Sequence, residues 1–181
     1  MWRYILEKYP HGIRSQAWDM DYLSRNSSLE WDFVITHPDG VYGQAWDVGY
    51  LSGNPILDWN FVRDNPHGLF GQRWNLVQMS SNPCLDWNFV SENMEGFDGQ
   101  QWNLGLLSLN PSLDWQFVRQ HLEGFCGQRW SVADMCHNPK LDSTFVLEYA
   151  QGTPSGSWGW SRDISRLSAH QNFPWKFFLA E

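Results

Sequence analysis

Apolar and polar positions along this chain return in blocks of 28 residues. Two short apolar segments fill each block. In the block that opens at Trp46, the first segment places Trp46, Tyr50 and Leu51 four and five positions apart. The second sets Leu57, Phe61 and Val62 on one side, with Trp59 three positions before Val62. These are helical spacings, not the strict alternation of a half-buried strand. The pattern therefore predicts one helix over Trp46 to Ser52 and a second through Trp59 to Val62. Two polar punctuation marks separate them. Ser-x-Asn-Pro turns the chain, because proline fixes its own φ and disfavours helical geometry at the residue before it. Gly-x-x-Gly suits a helix C-terminus and a tight reversal. Asp58 is placed to cap the second helix through its carboxylate, and Asn54-Pro55 offers a slightly earlier start. The pattern alone does not choose between the two.

The register is strict. Trp18, Trp46, Trp74, Trp102, Trp130 and Trp158 form one ladder, and Trp31, Trp59, Trp87 and Trp115 a second, which Ser143 breaks. Phe33, Phe61, Phe89, Phe117 and Phe145 each precede a valine. Asn26, Asn54, Asn82, Asn110 and Asn138 repeat, as do Gln16, Gln44, Gln72, Gln100 and Gln128. An acid recurs at Glu30, Asp58, Asp86, Asp114 and Asp142. A fixed period of this length marks a repeat protein, in which one supersecondary unit is copied so that neighbours bury what a single copy cannot.

The expected fold is all-α. Each copy is a helix-turn-helix, and about a dozen short helices stack into an α-solenoid. The alternative is a leucine-rich-repeat-like solenoid, since Leu107 to Leu113 superficially matches L-x-x-N-x-x-L, although the usual strand signature is missing. One domain spans 1–181. Residues 1–17 form an N-terminal half-repeat cap, 18–157 hold five full repeats, and 158–181 form a degenerate C-terminal cap, as terminal repeats must close the stack. The two tryptophan ladders and the phenylalanines are expected to be its core, each fully buried side chain contributing about 1.5–3 kcal/mol before entropy is charged. The Asn and Gln ladders are expected to hydrogen-bond backbone groups.

Charge narrows the partners. The net charge is −8, which argues against a general phosphate-binding surface and against an anionic membrane. No run of 18 apolar residues predicts a membrane span, and the start, Met1-Trp-Arg-Tyr-Ile-Leu-Glu-Lys, lacks the apolar run of a signal peptide. Cys84, Cys126 and Cys136 sit at three different repeat positions, which points to free thiols in a reducing compartment.

Catalysis needs a unique, asymmetric cluster, and a repeat array supplies the same groups at the same places. The row of acids has neighbours roughly 10 Å apart, the spacing of packed helices, which is too wide for paired carboxylates. Cys126, Cys136 and His137 gather in the most irregular copy, but no C-x-x-C or H-x-x-x-H spacing supports a metal. No enzyme activity, cofactor or metal is expected. Specificity in solenoids is carried by variable columns. One here is Tyr22, Tyr50, Gln78, Leu106 and Asp134. A second is Ile35, Arg63, Ser91, Arg119 and Leu147, and a third is Asp39, His67, Glu95, Glu123 and Gln151. These are the candidate partner-binding positions.

The units Trp46 to Val62, Trp74 to Val90 and Trp102 to Val118 resemble the tandem Trp/Asn-Pro repeats of proteins from amoeba-infecting giant DNA viruses. The resemblance covers about 140 residues and departs from that family in the longer Gly-x-x-Gly-Gln link. It implies a viral protein made in the host-cell cytoplasm, with the virion as a second location, and not a secreted one. It implies no reaction and no functional residue. The expected function is a non-enzymatic surface for a protein partner, either a host factor or a virion component. The alternatives are a carbohydrate-binding module with exposed tryptophan columns and a single-stranded nucleic-acid binder, the latter disfavoured by charge.

Overall fold

The computed structural model describes residues 1–41, 43–149, 152–153, 167–168 and 170. Trp158, Trp160, Trp175 and Gln151 lie outside the described residues, as does most of the expected cap at 158–181. Among the described residues there are eleven short α-helices and no strand. They are α1 (Trp2–Lys8), α2 (Met20–Ser24), α3 (Trp31–Thr36), α4 (Val48–Ser52), α5 (Trp59–Asp64), α6 (Leu76–Ser80), α7 (Trp87–Glu92), α8 (Leu104–Leu109), α9 (Trp115–Gln120), α10 (Val132–Met135) and α11 (Ser143–Glu148). The strand that a leucine-rich-repeat-like copy would need is therefore missing from the described residues.

Both helices of a copy start on a side-chain cap. Asp58 Oδ1 accepts from the backbone N–H groups of Asn60 and Phe61 at 2.9 and 3.3 Å. Asp86, Asp114 and Asp142 cap their helices in the same way. Glu30 makes no cap bond, and its longer side chain lies 3.7 Å from Arg3. The earlier residue, Asn54, caps nothing in α5. Its Oδ1 closes the turn onto Ile56 N–H at 3.1 Å.

The first helix begins later than its pattern suggests. Trp46 lies outside α4, and Asp47 is the N-cap, accepting from Tyr50 N–H at 2.9 Å. Asp19, Asn75, Asn103 and Ser131 do the same in their copies. The tryptophan instead closes the preceding helix. Trp46 Nε1 donates to the His37 carbonyl at 2.8 Å, and Trp74 Nε1 to Asn65 at 2.7 Å, each the C-terminal cap residue of α3 or α5. One indole thus fills the core and satisfies a helix-end carbonyl that has no partner within its helix.

The glycine link is a two-residue reversal. Leu69 and Gln72 exchange both backbone hydrogen bonds, at 2.8 and 2.9 Å, around Phe70 and Gly71. Both central residues have positive φ, 52° and 74°, as a type I′ turn requires. Gly68 is needed for a different reason. A Cβ there would lie 1.9 Å from the Gln72 carbonyl oxygen. The same single bridge recurs at Ile13–Gln16, Val41–Gln44, Phe97–Gln100 and Phe125–Gln128.

The described chain divides into two compact units, Met1–Gln101 and Trp102–Glu181, with the boundary just before a ladder tryptophan. In the first unit, Ser and Asn ladders tie each copy to the next, and a Gln ladder ties the end of each copy back to its start. Ser52 Oγ donates to Val48 C=O at 2.7 Å and accepts from Asn75 N–H at 3.0 Å. Asn82 Nδ2 donates to the carbonyls of Ser52 and Asn54 at 3.1 and 2.8 Å. Gln72 Nε2 donates to Trp46 C=O at 2.6 Å, while its Oε1 accepts from Val48 N–H at 3.2 Å. The second unit repeats the scheme. Ser108 accepts from Ser131, Asn138 donates to Ser108 and Asn110, and Gln128 bridges Trp102 and Leu104.

Between these ladders sits the apolar core. Trp46, Trp74 and Trp102 are each 1% exposed, and Trp130 is buried too. Trp18 is half-buried, edge-on to Trp2 at 6.0 Å. The second tryptophan ladder is also half-buried. Trp31, Trp59 and Trp115 rest on Phe61, Phe89 and Phe145 of the following copy, at 5.1–5.4 Å between ring centres. Phe33, Phe89, Phe117 and Phe145 are buried, whereas Phe61 is partly open.

Candidate functional site

The three variable columns have different surroundings. Arg63 and Arg119 on the second helices are engaged within the chain. Arg63 donates through Nε to Glu92 and through Nη2 to Asp86, both at 2.8 Å, with its guanidinium carbon 5.4 Å from the Phe89 ring centre. Arg119 donates to Glu148 and Asp142, both at 3.0 Å, and lies 5.2 Å from the Phe145 ring centre. Each guanidinium therefore clamps the cap acid and the last-turn acid of the next copy. The hydrogen bonds that it donates to Glu92 and Asp86 raise Arg63 above its ordinary pKa. At Asp142, burial opposes ionisation, but hydrogen bonds from Thr144, Arg119 and two backbone N–H groups outweigh it and hold the carboxyl below its ordinary value.

In the link column, His67 is 90% exposed, yet its Nδ1 lies 3.2 Å from Asp98 Oδ1. Arg73 Nε approaches the other Asp98 oxygen at 2.6 Å, and Arg73 Nη2 also donates to the Asp98 carbonyl. The Arg73 hydrogen bond, with that of His67, holds Asp98 below its ordinary pKa. Asp98 itself sits in a tight turn at φ 49°. Glu95 and Glu123 are exposed.

The first-helix column is the least committed. Tyr22 is 74% exposed and its side chain has no hydrogen bond among the described residues. Tyr50, Gln78, Leu106 and Asp134 are half-buried. The neighbours of Tyr50 and Gln78 form a shallow recess of about 250 Å³, lined by Arg25, Tyr50, Gly53, Asn54 and Gln78. The Arg25 guanidinium carbon stands 3.5 Å from the Tyr50 ring centre. Its nitrogens lie only about 1.3 Å from that carbon, so a steep tilt would drive one into the ring. The guanidinium is therefore held nearly flat on Tyr50. No carboxylate among the described residues pairs with it.

Arg25 and Gly53 were not singled out by the sequence pattern. They share a column with Ser81, Leu109 and His137, directly after the first-helix serine or on its neighbour. The available signal was one glycine in a column of side chains. Gly53 has φ −89°, which any residue adopts, so its backbone does not require glycine. A Cβ there would face Gln78, 3.1 Å from its Oε1.

A second, more open depression is lined by Pro38, Asp39, Gly43, Ala45 and Phe70. Among the described residues, no three His, Cys, Asp or Glu side chains cluster as metal ligands. Cys84 is exposed, Cys126 half-buried and Cys136 buried, and none of the three is in a disulfide. No helix among the described residues is long and apolar enough to cross a membrane. Comparison with protein-family models, with curated proteins and with solved structures finds no match.

Proposed function

We propose that this chain is a non-enzymatic repeat protein whose 28-residue copies continue as one α-solenoid, and that the first-helix column binds a protein partner. One contrast carries this reading. The recurring Ser, Asn, Gln and Trp groups are directed inward to backbone groups of their own and neighbouring copies. The Tyr22, Tyr50 and Gln78 column changes chemistry from copy to copy and leaves its polar side-chain atoms without hydrogen bonds among the described residues. Frameworks that repeat while one outward column varies are how helical arrays present a recognition surface. A partner on this column is a host factor or a virion component, following the resemblance of the repeats.

Sugar stacking has weaker support. It needs open indole faces, and Trp46, Trp74 and Trp102 are covered. The test is affinity capture from lysate of the cells that make the protein, with and without nuclease, using the wild-type chain and a Tyr22→Ser/Gln78→Ala variant. A protein retained despite nuclease and lost with the variant supports the reading. Retention that vanishes with nuclease overturns it.

A further inference from the structure

We infer that the recess between Tyr50 and Gln78 is a carboxylate pocket, and that it receives a glutamate or aspartate side chain of the protein partner. This rests on the interaction reading and gives it a chemistry. Arg63, Arg73 and Arg119 each meet carboxylates of the chain itself. Arg25 is also held in place, flat against Tyr50, but its N–H donors meet no acid among the described residues. In a chain of net charge −8, a fixed and unpaired guanidinium is a specific attraction for an anion. Its position on the ring means that little freedom is lost when it binds.

The second polar group is Gln78. It lines the recess from the next copy, with Oε1 beside Gly53, and its side chain has no hydrogen bond among the described residues to stop the amide turning Nε2 toward a carboxylate. The floor is Gly53 with Asn54, whose amide is already committed to the carbonyls of Ser24 and Asn26. Arg25 fills the slot over Tyr50. The equivalent position beside Gln78 carries no side chain because residue 53 is glycine, and a Cβ there would already stand 3.1 Å from Gln78 Oε1. A larger residue would press on Gln78 and fill the recess, at a φ of −89° that any residue adopts.

Size and charge select the ligand. About 250 Å³ is smaller than the roughly 300–1,000 Å³ of sites that enclose whole small molecules. It fits one side chain delivered from a larger surface. One guanidinium and one neutral amide match a monoanionic carboxylate. A dianionic phosphate would carry twice the charge into an acidic protein with a single cation to meet it.

The experiment uses the full chain and arrayed peptides, each carrying one glutamate, with twins in which it is glutamine or phosphoserine. Binding is measured for the wild type, Arg25→Gln and Gly53→Leu, with melting temperatures alongside. The same repeat position carries Ser81, Leu109 and His137 in other copies. We expect glutamate peptides to bind at least ten-fold tighter than their glutamine twins, and both variants to abolish that preference, Arg25→Gln at unchanged melting temperature and Gly53→Leu while still melting as a folded chain. No glutamate preference in any peptide, a requirement for phosphoserine, or undiminished binding by Gly53→Leu would each overturn the pocket. If the protein captured from lysate by the wild type is captured equally by both variants, the pocket is overturned and the interaction reading stands.

Discussion

At the scale of single residues, the fold rests on polar groups that each satisfy two backbone partners. Asn82 is fully buried and its amide donates to two carbonyls of the preceding copy. Removing it strands both acceptors away from water. Asn82→Ala should lower stability by roughly 1–3 kcal/mol in urea unfolding, and Asn82→Asp by more, because oxygen replaces the donor. The two glycines of one link separate two physical demands. Gly68 is excluded from bearing a Cβ by the Gln72 carbonyl, whereas Gly71 has open space and only a positive φ. Gly68→Ala should therefore destabilise clearly, and Gly71→Asn should cost little, since asparagine tolerates that conformation. Equal losses in thermal melts would contradict the assignment of their roles. Much of this scale was legible in sequence. Invariant Asn and Gln at a fixed period announce backbone bonding, and Gly-x-x-Gly announces a reversal. The positive φ of Phe70 and Cys126 was not legible, because bulky residues normally avoid it and the hairpin imposes it from outside.

At the scale of elements, the eleven described helices have four to seven residues. Isolated helices this short do not hold in water, so caps and neighbouring copies must supply their stability. The Asp58-type caps could be read from sequence. The start of the first helix could not, since an apolar tryptophan looks like a helical position when it is actually the lid on the previous helix. The arginine clamps also escaped a copy-by-copy reading. Their signal is a paired one, Arg63 with Glu92 and Arg119 with Glu148, each 29 residues apart. The clamp has a pH signature. Asp142 has its pKa lowered in the folded state, so its contribution is present above the unfolded value near about 4 and is lost as pH falls through the folded one. Arg119→Gln removes one cause of that lowering. The stability gap between wild type and Arg119→Gln should be widest near neutrality and should close below about pH 4. A gap that stays constant down to acid would show that Arg119 acts through packing alone.

At the scale of the whole molecule, the sequence showed a repeat with a tryptophan core, and each described unit has one. Its −8 charge and variable columns left the partner open, because a partner is chosen by a few side chains whose neighbours are fixed only by folding. The second-helix column proved to hold internal ion pairs at Arg63 and Arg119. The buried ladder should show in fluorescence. Trp46, Trp74, Trp102 and Trp130 should give blue-shifted emission inaccessible to acrylamide, beside a quenchable fraction from the half-buried ladder. Quenching as uniform as in the urea-unfolded chain would contradict the packing. The central claim is that the first-helix column meets a protein. Its most direct test places a photo-crosslinking amino acid at Tyr22, Gln78 or Leu106, and at Asn60, Asn88 or Gln116 on the exposed face of the second helices, in cells that make the protein. The account predicts crosslinks to one protein from the first set and few from the second. Crosslinks confined to the second set, or spread evenly over both, would contradict it.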